Sequence, residues 1–270
     1  DIQTQRRLRE VRAHERTDAA LQAAKEKAEA ANLAKTRYMA GISHELRTPL
    51  NAIYGYAQVL ERDASLPRNH RTAVQAIRRG SEHLAGLIEN LLDISKIEAG
   101  RLEIHRDRIN LPALLGQISA IFERQAREKG LDFGITTEGK LPDWVDFDEK
   151  RLRQALYNLI ANAVRNTPKG GTVSLSARRE ADCLSIVVTD TGPGMARDET
   201  DRLFEKFERG SRDPRDPGAG LGLALVKNLI ELHGGAILVD GGPGKGMRIE
   251  CRVPLEAVQS KEEASLGAPA

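Results

Sequence analysis

The chain has 270 residues, 40% apolar and 30% charged, and its formal net charge is +2 at pH 7. This length favours two modest domains over one, and the near balance of charge gives no reason to expect nucleic acid or an anionic membrane as the main partner.

Cys183 and Cys251 lie in alternating apolar runs, and two lone thiols predict reduced, buried residues of a cytoplasmic protein and exclude a disulfide framework. No run approaches the roughly 18 apolar residues of a membrane helix, so we expect no direct membrane segment. Because the chain begins at Asp1 within a helical pattern, we expect it to be part of a longer protein.

The first segment, residues 1–35, is rich in Ala, Glu, Lys, Arg and Gln and contains neither Gly nor Pro. Such a composition propagates helix well. Its apolar positions are mostly Ala, so any coiled-coil seam here is expected to be weak. Two interpretations remain open, a solvated spacer helix and a signal-transmitting helix that joins an upstream sensor domain, absent from this chain, to the remainder.

The second segment, residues 36–100, has the pattern of two amphipathic helices. Apolar residues recur at steps of three and four along the first: Met39, Ile42, Leu46, Leu50, Ile53, Ala57 and Leu60. A polar stretch at 63–69 interrupts the pattern, and the second helix carries its own seam: Val74, Ile77, Ser81, Leu84, Ile88 and Leu91. A lone hairpin buries such stripes poorly, so we expect two copies to pair as a four-helix bundle in a homodimer.

The third segment, residues 101–257, has a mixed α and β pattern. The predicted helices are Pro112–Lys129, Glu149–Asn166, Asp198–Phe207 and Leu221–His233. The predicted strands are Asp132–Thr136, Thr172–Arg179, Leu184–Thr189, Ala236–Val239 and Arg248–Val253. The alternating strands favour a sheet with one face packed on helices. Residues 258–270 are expected to form a disordered tail or linker.

Three glycine clusters stand in the last third of the chain, at 190–194, 218–222 and 241–246. The second leads directly into an apolar helix, whose N-terminal N–H groups and dipole suit an anion. It lacks the ending of a Walker A loop, and it does not follow a strand as a dinucleotide fingerprint does. Any one cluster alone is weak evidence for a phosphate site.

Two asparagines, Asn158 and Asn162, lie four residues apart on the predicted helix 149–166 and share a face, with Arg165 nearly above them. Asn is a poor residue for a helix interior. The two amides are therefore either solvent-facing groups or oxygen ligands for Mg²⁺, with Arg165 near phosphate.

Four motifs stand in order along the chain: Asn158-Leu-Ile-Ala-Asn162-Ala-Val-Arg165, Asp190-Thr-Gly-Pro-Gly194, Phe204-Glu-Lys-Phe207 and Gly218-Ala-Gly-Leu-Gly-Leu. They resemble the N, G1, F and G2 boxes of histidine kinases, which belong to the ATPase superfamily of gyrase, Hsp90 and MutL. The resemblance implies an α+β ATP-binding sandwich of the GHKL or Bergerat type. It also implies that Asn162 coordinates Mg²⁺ with Asn158 assisting, and that Asp190 accepts a hydrogen bond from the adenine amino group.

The same resemblance implies the remaining contacts with ATP, through Arg165, Gly192, Gly194, Arg209, Gly218, Gly220, Leu221 and Gly222. Residues 208–217 are expected to form a mobile lid. The chain departs from the family at two positions: Asn166 stands where an aromatic residue or His is usual, and Met247 stands where Thr often follows Gly. Both changes could weaken or reorient adenine binding.

The phosphoacceptor motif is predicted on the first amphipathic helix, in the string Gly41-Ile-Ser-His44-Glu45-Leu-Arg-Thr48-Pro49-Leu. His44 is expected to point away from the apolar seam, and Glu45 can hold an imidazole tautomer or take its proton. Pro49 removes a backbone donor and is expected to loosen the helix. The string resembles the H box of histidine kinases, which implies that His44 is phosphorylated and that Glu45 acts as base. It further implies that Thr48 positions a water that dephosphorylates an aspartate of the partner.

The resemblance spans roughly residues 35–255 and implies a homodimeric kinase. Its activity would be ATP-dependent autophosphorylation of His44 and phosphotransfer to a response-regulator receiver domain, with phosphatase activity toward that regulator as an addition. Two alternatives remain. A non-kinase scaffold with the same fold is supported only by Asn166 and Met247, and the H box argues against an ATP hydrolase of the same superfamily.

Overall fold

The computed structural model describes residues 2–63, 65–205 and 220–255. Along parts of the first helix, His44 included, the description is of the backbone only. The chain divides into two compact units, Asp1–Leu102 and Glu103–Ala270. Each unit is described by itself.

The first unit is a hairpin of two long helices, α1 (Ile2–Arg62) and α2 (Arg68–Glu98). α1 runs without a break from the Ala-rich segment through Pro49, so the two predicted helical segments form one helix. The turn lies where the sequence predicts the interruption. There Asp63 Oδ1 accepts hydrogen bonds from the backbone N–H and the hydroxyl of Ser65, at 2.8 and 2.6 Å. Asx-type hydrogen bonding of this kind competes with helix continuation and favours a turn.

The apolar seam of this hairpin divides into two stripes. One stripe is buried between the helices and repeats every seven residues: Ser43, Leu50 and Ala57 on α1, and Val74, Ser81 and Ile88 on α2. The other stripe follows the same repeat and is 45–51% exposed: Leu46, Ile53 and Leu60 on α1, and Ile77 and Leu84 on α2. The hairpin therefore leaves one apolar stripe of each helix about half exposed.

The second unit is built on a five-stranded sheet with the order β2-β4-β5-β7-β6. Its strands are β2 (Asp132–Glu138), β4 (Thr172–Glu180), β5 (Cys183–Asp190), β6 (Ala236–Gly242) and β7 (Gly246–Pro254). β2 pairs with β4 in parallel, and the other pairings are antiparallel. A separate two-stranded antiparallel sheet consists of β1 (Asp107–Asn110) and β3 (Trp144–Phe147). The helices are α3 (Leu111–Lys129), α4 (Glu149–Asn166), α5 (Arg197–Arg202) and α6 (Gly222–Leu232).

Two sequence predictions differ from these elements. β1 and β3 were not predicted, because four residues are too few to establish an alternating pattern. α5 ends at Arg202, whereas the sequence predicts a helix to Phe207, a residue outside the described part of the chain. The reason for the early end is a tighter turn, in which the Glu205 N–H donates to the Arg202 carbonyl at 2.9 Å.

The core of the second unit fills the space between the sheet and its helices. Its largest fully buried side chains come from both layers, and they include Phe122, Leu152, Leu156, Leu159, Leu175 and Ile186. β4 shows the expected alternation, with Val173, Leu175 and Ala177 buried and Ser174 and Ser176 half-buried. One face of the sheet therefore packs on helices.

A charged cluster covers part of the opposite face of the sheet, around Glu250 of β7. Glu250 is only 3% exposed and accepts hydrogen bonds from Arg248 at 2.7 Å, Arg252 at 2.8 Å and the Ser185 hydroxyl at 2.9 Å. Burial alone would raise the pKa of Glu250, but these hydrogen bonds outweigh it and lower the pKa to about 2. The carboxylate is thus held in its ionised form.

Both cysteines are free thiols of the second unit. Cys251 is buried, as predicted, and burial raises the pKa of its thiol to about 12. Cys183 is half-buried, so the prediction of burial was wrong for this residue. It stands at the first position of β5, where the sheet ends and covers less of the side chain.

Candidate functional site

α4 presents the two asparagines of the N-box motif. The helix begins at Glu149, since the side chain of Asp148 accepts a hydrogen bond from the Arg151 N–H at 3.0 Å and caps the first turn. One side of α4 is buried in the core, through Leu152, Leu156, Leu159 and Ala163. Asn158 and Asn162 lie on the other side and are half-buried. The predicted sharing of a face is confirmed.

The side-chain oxygen of Asn162 is the centre of a small polar cluster. Asn162 Oδ1 accepts hydrogen bonds from Arg165 Nη2 at 2.9 Å and from Asn166 Nδ2 at 3.0 Å. Asn166 Nδ2 also donates to the backbone carbonyl of Asn162 at 2.9 Å. The structure thus brings Asn166, which the sequence marks only as a departure from a motif, into contact with the predicted metal ligand.

The C-terminal end of α4 is held by side chains that cap its carbonyl groups. The Thr167 hydroxyl donates to the Ala163 carbonyl at 2.7 Å. Lys129 Nζ donates to the carbonyls of Val164 and Arg165 at 2.7 and 2.6 Å. The bonds from Lys129 satisfy carbonyls of the last turn, which lack partners within a helix, and together these bonds fix the end of α4 beside a pocket.

This pocket lies between α4, the ends of β5 and β7, and the loop after β5. Its apolar side chains are Leu159, Ala163, Val188, Met195, Leu203, Met247 and Ile249, and its polar residues are Asn162, Asn166 and Asp190. Asp190 is 8% exposed, and its Oδ1 accepts a hydrogen bond from the Gly192 N–H at 2.8 Å. An apolar slot with one buried carboxylate suits a flat heterocycle that carries an N–H donor.

The first and third glycine clusters meet at this pocket. Gly194, at φ 65°, has no room for a side chain, because a Cβ atom there would overlap the Gly242 carbonyl oxygen. A Cβ atom on Gly246, at φ 75°, would overlap the Asp190 carbonyl oxygen. Two glycines are thus required for the β6–β7 turn to close against the loop after β5. The third cluster is explained by this packing.

The second glycine cluster leads into α6, whose N-cap is Leu221. Gly220 has φ 68°, and a Cβ atom on Gly222 would lie 3.4 Å from Asn158 Oδ1. The first asparagine of the N-box motif therefore faces the N-terminal turn of α6, a position that favours an anion. The Leu221 side chain is 4% exposed and lies in the core, so a ligand at this turn would meet its backbone.

Several predicted residues lie outside the described part of the chain. They are Arg209, Gly218 and the lid residues 208–217. His44 belongs to α1 by its backbone, and its side chain lies outside the description. On the same turns of α1, Ser43 is buried, whereas Glu45 and Thr48 are exposed.

Five features of the site were missed by sequence reasoning: the contacts of Lys129 and Asn166 and the pocket positions of Met195, Leu203 and Met247. Met247 was noted only as a departure, although its register opposite Asp190 places it in the pocket. The register of β5 and β7 could have found it. Lys129 and Leu203 depend on tertiary contacts that carry no local pattern.

Two kinds of feature are absent from the described residues. No three or more side chains of His, Cys, Asp or Glu are grouped there as a metal site would require. Within the same ranges, no helix has both the length and the apolar character needed to cross a membrane.

Two family models match the chain. Residues 34–100 match the His Kinase A (phospho-acceptor) domain, and residues 147–257 match the histidine kinase-, DNA gyrase B- and HSP90-like ATPase. The first match contains the H-box motif on α1, and the second contains α4 and the pocket.

Similar proteins cover both units. An uncharacterised sensor-like histidine kinase of Rhizobium meliloti is 38% identical over 90% of this chain and 47% of its own length. The histidine protein kinase DivJ of Caulobacter vibrioides is 35% identical over 92% of this chain and 42% of its own. The crystal structure of full-length ShkA in complex with AMPPNP superposes with a TM-score of 0.67 at 35% identity, over 81% of this chain and 46% of that one. The chain thus spans less than half the length of these relatives.

Proposed function

The chain belongs to the sensor histidine kinases, as their catalytic core, and on this premise we propose that it transfers the γ-phosphate of Mg-ATP to its own His44. One observation carries the proposal: a single chain contains both a helical hairpin with the H-box motif and a sheet unit with a buried carboxylate in an apolar pocket. The second step of the proposal is transfer from His44 to an aspartate of a response-regulator receiver domain.

Binding of ATP is supported by the chemistry of the pocket. Asp190 is a hydrogen-bond acceptor for the amino group of adenine, and the apolar side chains around it match the faces of the base. The N-terminal turn of α6 is suited to the phosphates, as are the predicted contacts of Arg165 and Arg209. The relative ShkA was crystallised with AMPPNP, an analogue of ATP.

Mg²⁺ fits the residues of the site. It prefers oxygen ligands and keeps several waters, and it is commonly held by a few protein groups together with substrate phosphates. Asn162 Oδ1, with Asn158 assisting, supplies such oxygens, and Asn158 Oδ1 faces the N-terminal turn of α6. When bound, the ion would neutralise charge on the phosphate oxygens.

In the proposed reaction a ring nitrogen of neutral His44 attacks the γ-phosphorus. The new nitrogen–phosphorus bond forms as the bond to the β–γ bridging oxygen breaks, and ADP leaves with that oxygen. Glu45 holds the proton of the other ring nitrogen and keeps the attacking nitrogen unprotonated. Positioning and charge neutralisation lower most of the barrier in such transfers.

The exposed stripe of the hairpin supports a homodimer. Its five apolar side chains repeat every seven residues along each helix, which is the spacing of a bundle seam, and a second hairpin would cover them. Thr48 is exposed on α1 near His44, which supports the proposed role of Thr48 in dephosphorylating the regulator. The unbroken α1 supports the signal-transmitting interpretation of residues 1–35.

The test is incubation of the chain with Mg²⁺ and γ-labelled ATP, beside the variant His44→Ala. We expect protein-bound label that is labile to acid, stable to alkali and absent from the variant. Bound ATP without label would indicate the scaffold, and released phosphate without bound label would indicate the hydrolase. Either result would overturn the proposal.

A further inference from the structure

Asn162 Oδ1 already accepts two hydrogen bonds. A carbonyl oxygen of an Asn side chain has two lone pairs, and Arg165 Nη2 and Asn166 Nδ2 lie 2.9 and 3.0 Å from it. A Mg²⁺ ion binds an oxygen ligand through a lone pair, at about 2.0–2.1 Å. At least one of these two hydrogen bonds must therefore break when the ion binds.

The two donors differ in charge. The guanidinium of Arg165 is always positive, and a second positive charge at the same oxygen would be repelled. The amide of Asn166 is neutral, so it can keep its hydrogen bond beside the ion. Arg165 is therefore the donor that leaves, and Asn166 is the one that stays.

Asn166 also has a fixed position from which to act. Its Nδ2 donates to both the backbone and the side-chain oxygen of Asn162, at 2.9 and 3.0 Å, and so ties the Asn162 side chain to its own backbone. The helix end that carries Asn166 is held by the hydroxyl of Thr167 and the ammonium of Lys129. A ligand held in this way loses little conformational entropy when the ion binds.

We propose that Asn166 is a positioning residue for magnesium: it orients the side-chain oxygen of Asn162, so that the metal-dependent part of nucleotide affinity depends on the Asn166 amide. The inference rests on the proposed role of Asn162 as a ligand. It assigns to Asn166 a hydrogen-bonding function in place of the weakened adenine contact that the sequence predicts for this position.

The test compares Asn166→Leu with the wild-type chain by calorimetric titration with ADP, with Mg²⁺ and then with a chelator. Leu has the shape of Asn without its donor. The measured quantity is the Kd of ADP with the chelator divided by its Kd with Mg²⁺. This ratio reports the part of the affinity that depends on the metal and not on the base. Groups that orient a metal ligand are commonly worth about 10–100-fold in metal affinity, so we expect the ratio to fall about tenfold or more. Because Asn166 also lines the pocket proposed for the base, any effect of the variant on metal-free ADP binding cancels in the ratio.

Two further variants make the result specific. Thr167→Val removes a neighbouring hydrogen bond of the same helix end. The Thr167 N–H still donates to the Ala163 carbonyl at 3.0 Å, so this variant should lower Tm without changing the ratio. Asn162→Ala should abolish most of the magnesium-dependent gain. If Asn162→Ala has this effect and Asn166→Leu retains the wild-type ratio, the inference is wrong and the proposed function stands.

Other outcomes also decide the matter. If both variants retain the wild-type ratio, the proposed role of Asn162 fails, and the inference fails with it. If Asn166→Leu weakens ADP binding by the same factor with and without Mg²⁺, Asn166 acts through the base, and the inference is overturned.

Discussion

The two units of this chain bury their apolar side chains to different extents. The sheet unit encloses its own core, where Phe122 and Phe147 are each 1% exposed. The hairpin buries one stripe of each helix and leaves a second stripe, including Ile53 and Leu84, about half exposed. A two-layer unit can close its core within one chain, whereas two helices have no third surface to cover their remaining stripe. Stability of the hairpin should therefore depend on association, and that of the sheet unit should not.

The largest effect is expected from a charge in the exposed stripe. Ile53→Asp would place an ionised carboxylate among apolar side chains of the paired hairpin, where an unpaired charge is costly. We expect the dimer to be lost, measured as a change from dimer to monomer by light scattering. Val59→Asp is the matched control, since Val59 is also on α1 and is 68% exposed. A dimer that survives Ile53→Asp would refute this role of the stripe.

The next effect concerns the enclosed core. Phe122→Ala removes a ring that packs against Tyr157 at a centroid distance of 5.3 Å, and substitutions of this kind cost about 3–5 kcal/mol of unfolding free energy. Denaturant unfolding of the sheet unit measures the loss. Ile121→Ala, at a neighbouring position that is 37% exposed, should cost clearly less. Unlike Ile53→Asp, Phe122→Ala should leave the dimer intact, and equal losses for both core variants would contradict the assignment.

A smaller effect is expected from the charged cluster on the sheet. The folded-state pKa of Glu250 is lowered from 4.5 to about 2, so its contribution is complete above about pH 5 and is lost as the pH falls toward 2. At about 1.4 kcal/mol per pKa unit, that contribution is at most about 3.5 kcal/mol. Glu250→Gln should lower the unfolding free energy at pH 7 and flatten its decline below pH 5. An unchanged acid profile, measured by denaturant unfolding at several pH values, would speak against the cluster.

The sequence predicted the helix that carries Asn158 and Asn162, but it did not predict the contacts between side chains there. The bounds of α4 agree with the structure, and the pairing of Asn158 with Asn162 on one face follows from helical periodicity alone. The Asn166 amide could not be assigned in the same way, because the choice of its acceptor depends on side-chain conformation. The contact of Lys129 with α4 joins residues 35 and 36 positions apart in the chain.

In the hairpin, too, the sequence predicted positions better than contacts. Most positions of both stripes were predicted from their spacing on α1 and α2, but the buried Ser43 was not, and the predicted Ile42 is only half-buried. Periodicity does not reveal which of them face the other helix, because that depends on the rotation of each helix about its own axis. The short strands β1 and β3 were missed for a different reason, since they are defined by pairing with each other.

The continuity of α1 has a consequence for its angular phase. The helix is unbroken over 61 residues, from Ile2 to Arg62, and each residue of a helix turns the chain by about 100°. One residue inserted near its N-terminal end would rotate any domain attached there by about 100° relative to the H-box motif. Seven inserted residues would restore the phase to within about 20°. The number of residues in the N-terminal part of this helix therefore sets the rotation of an attached domain as well as its distance from the H-box motif.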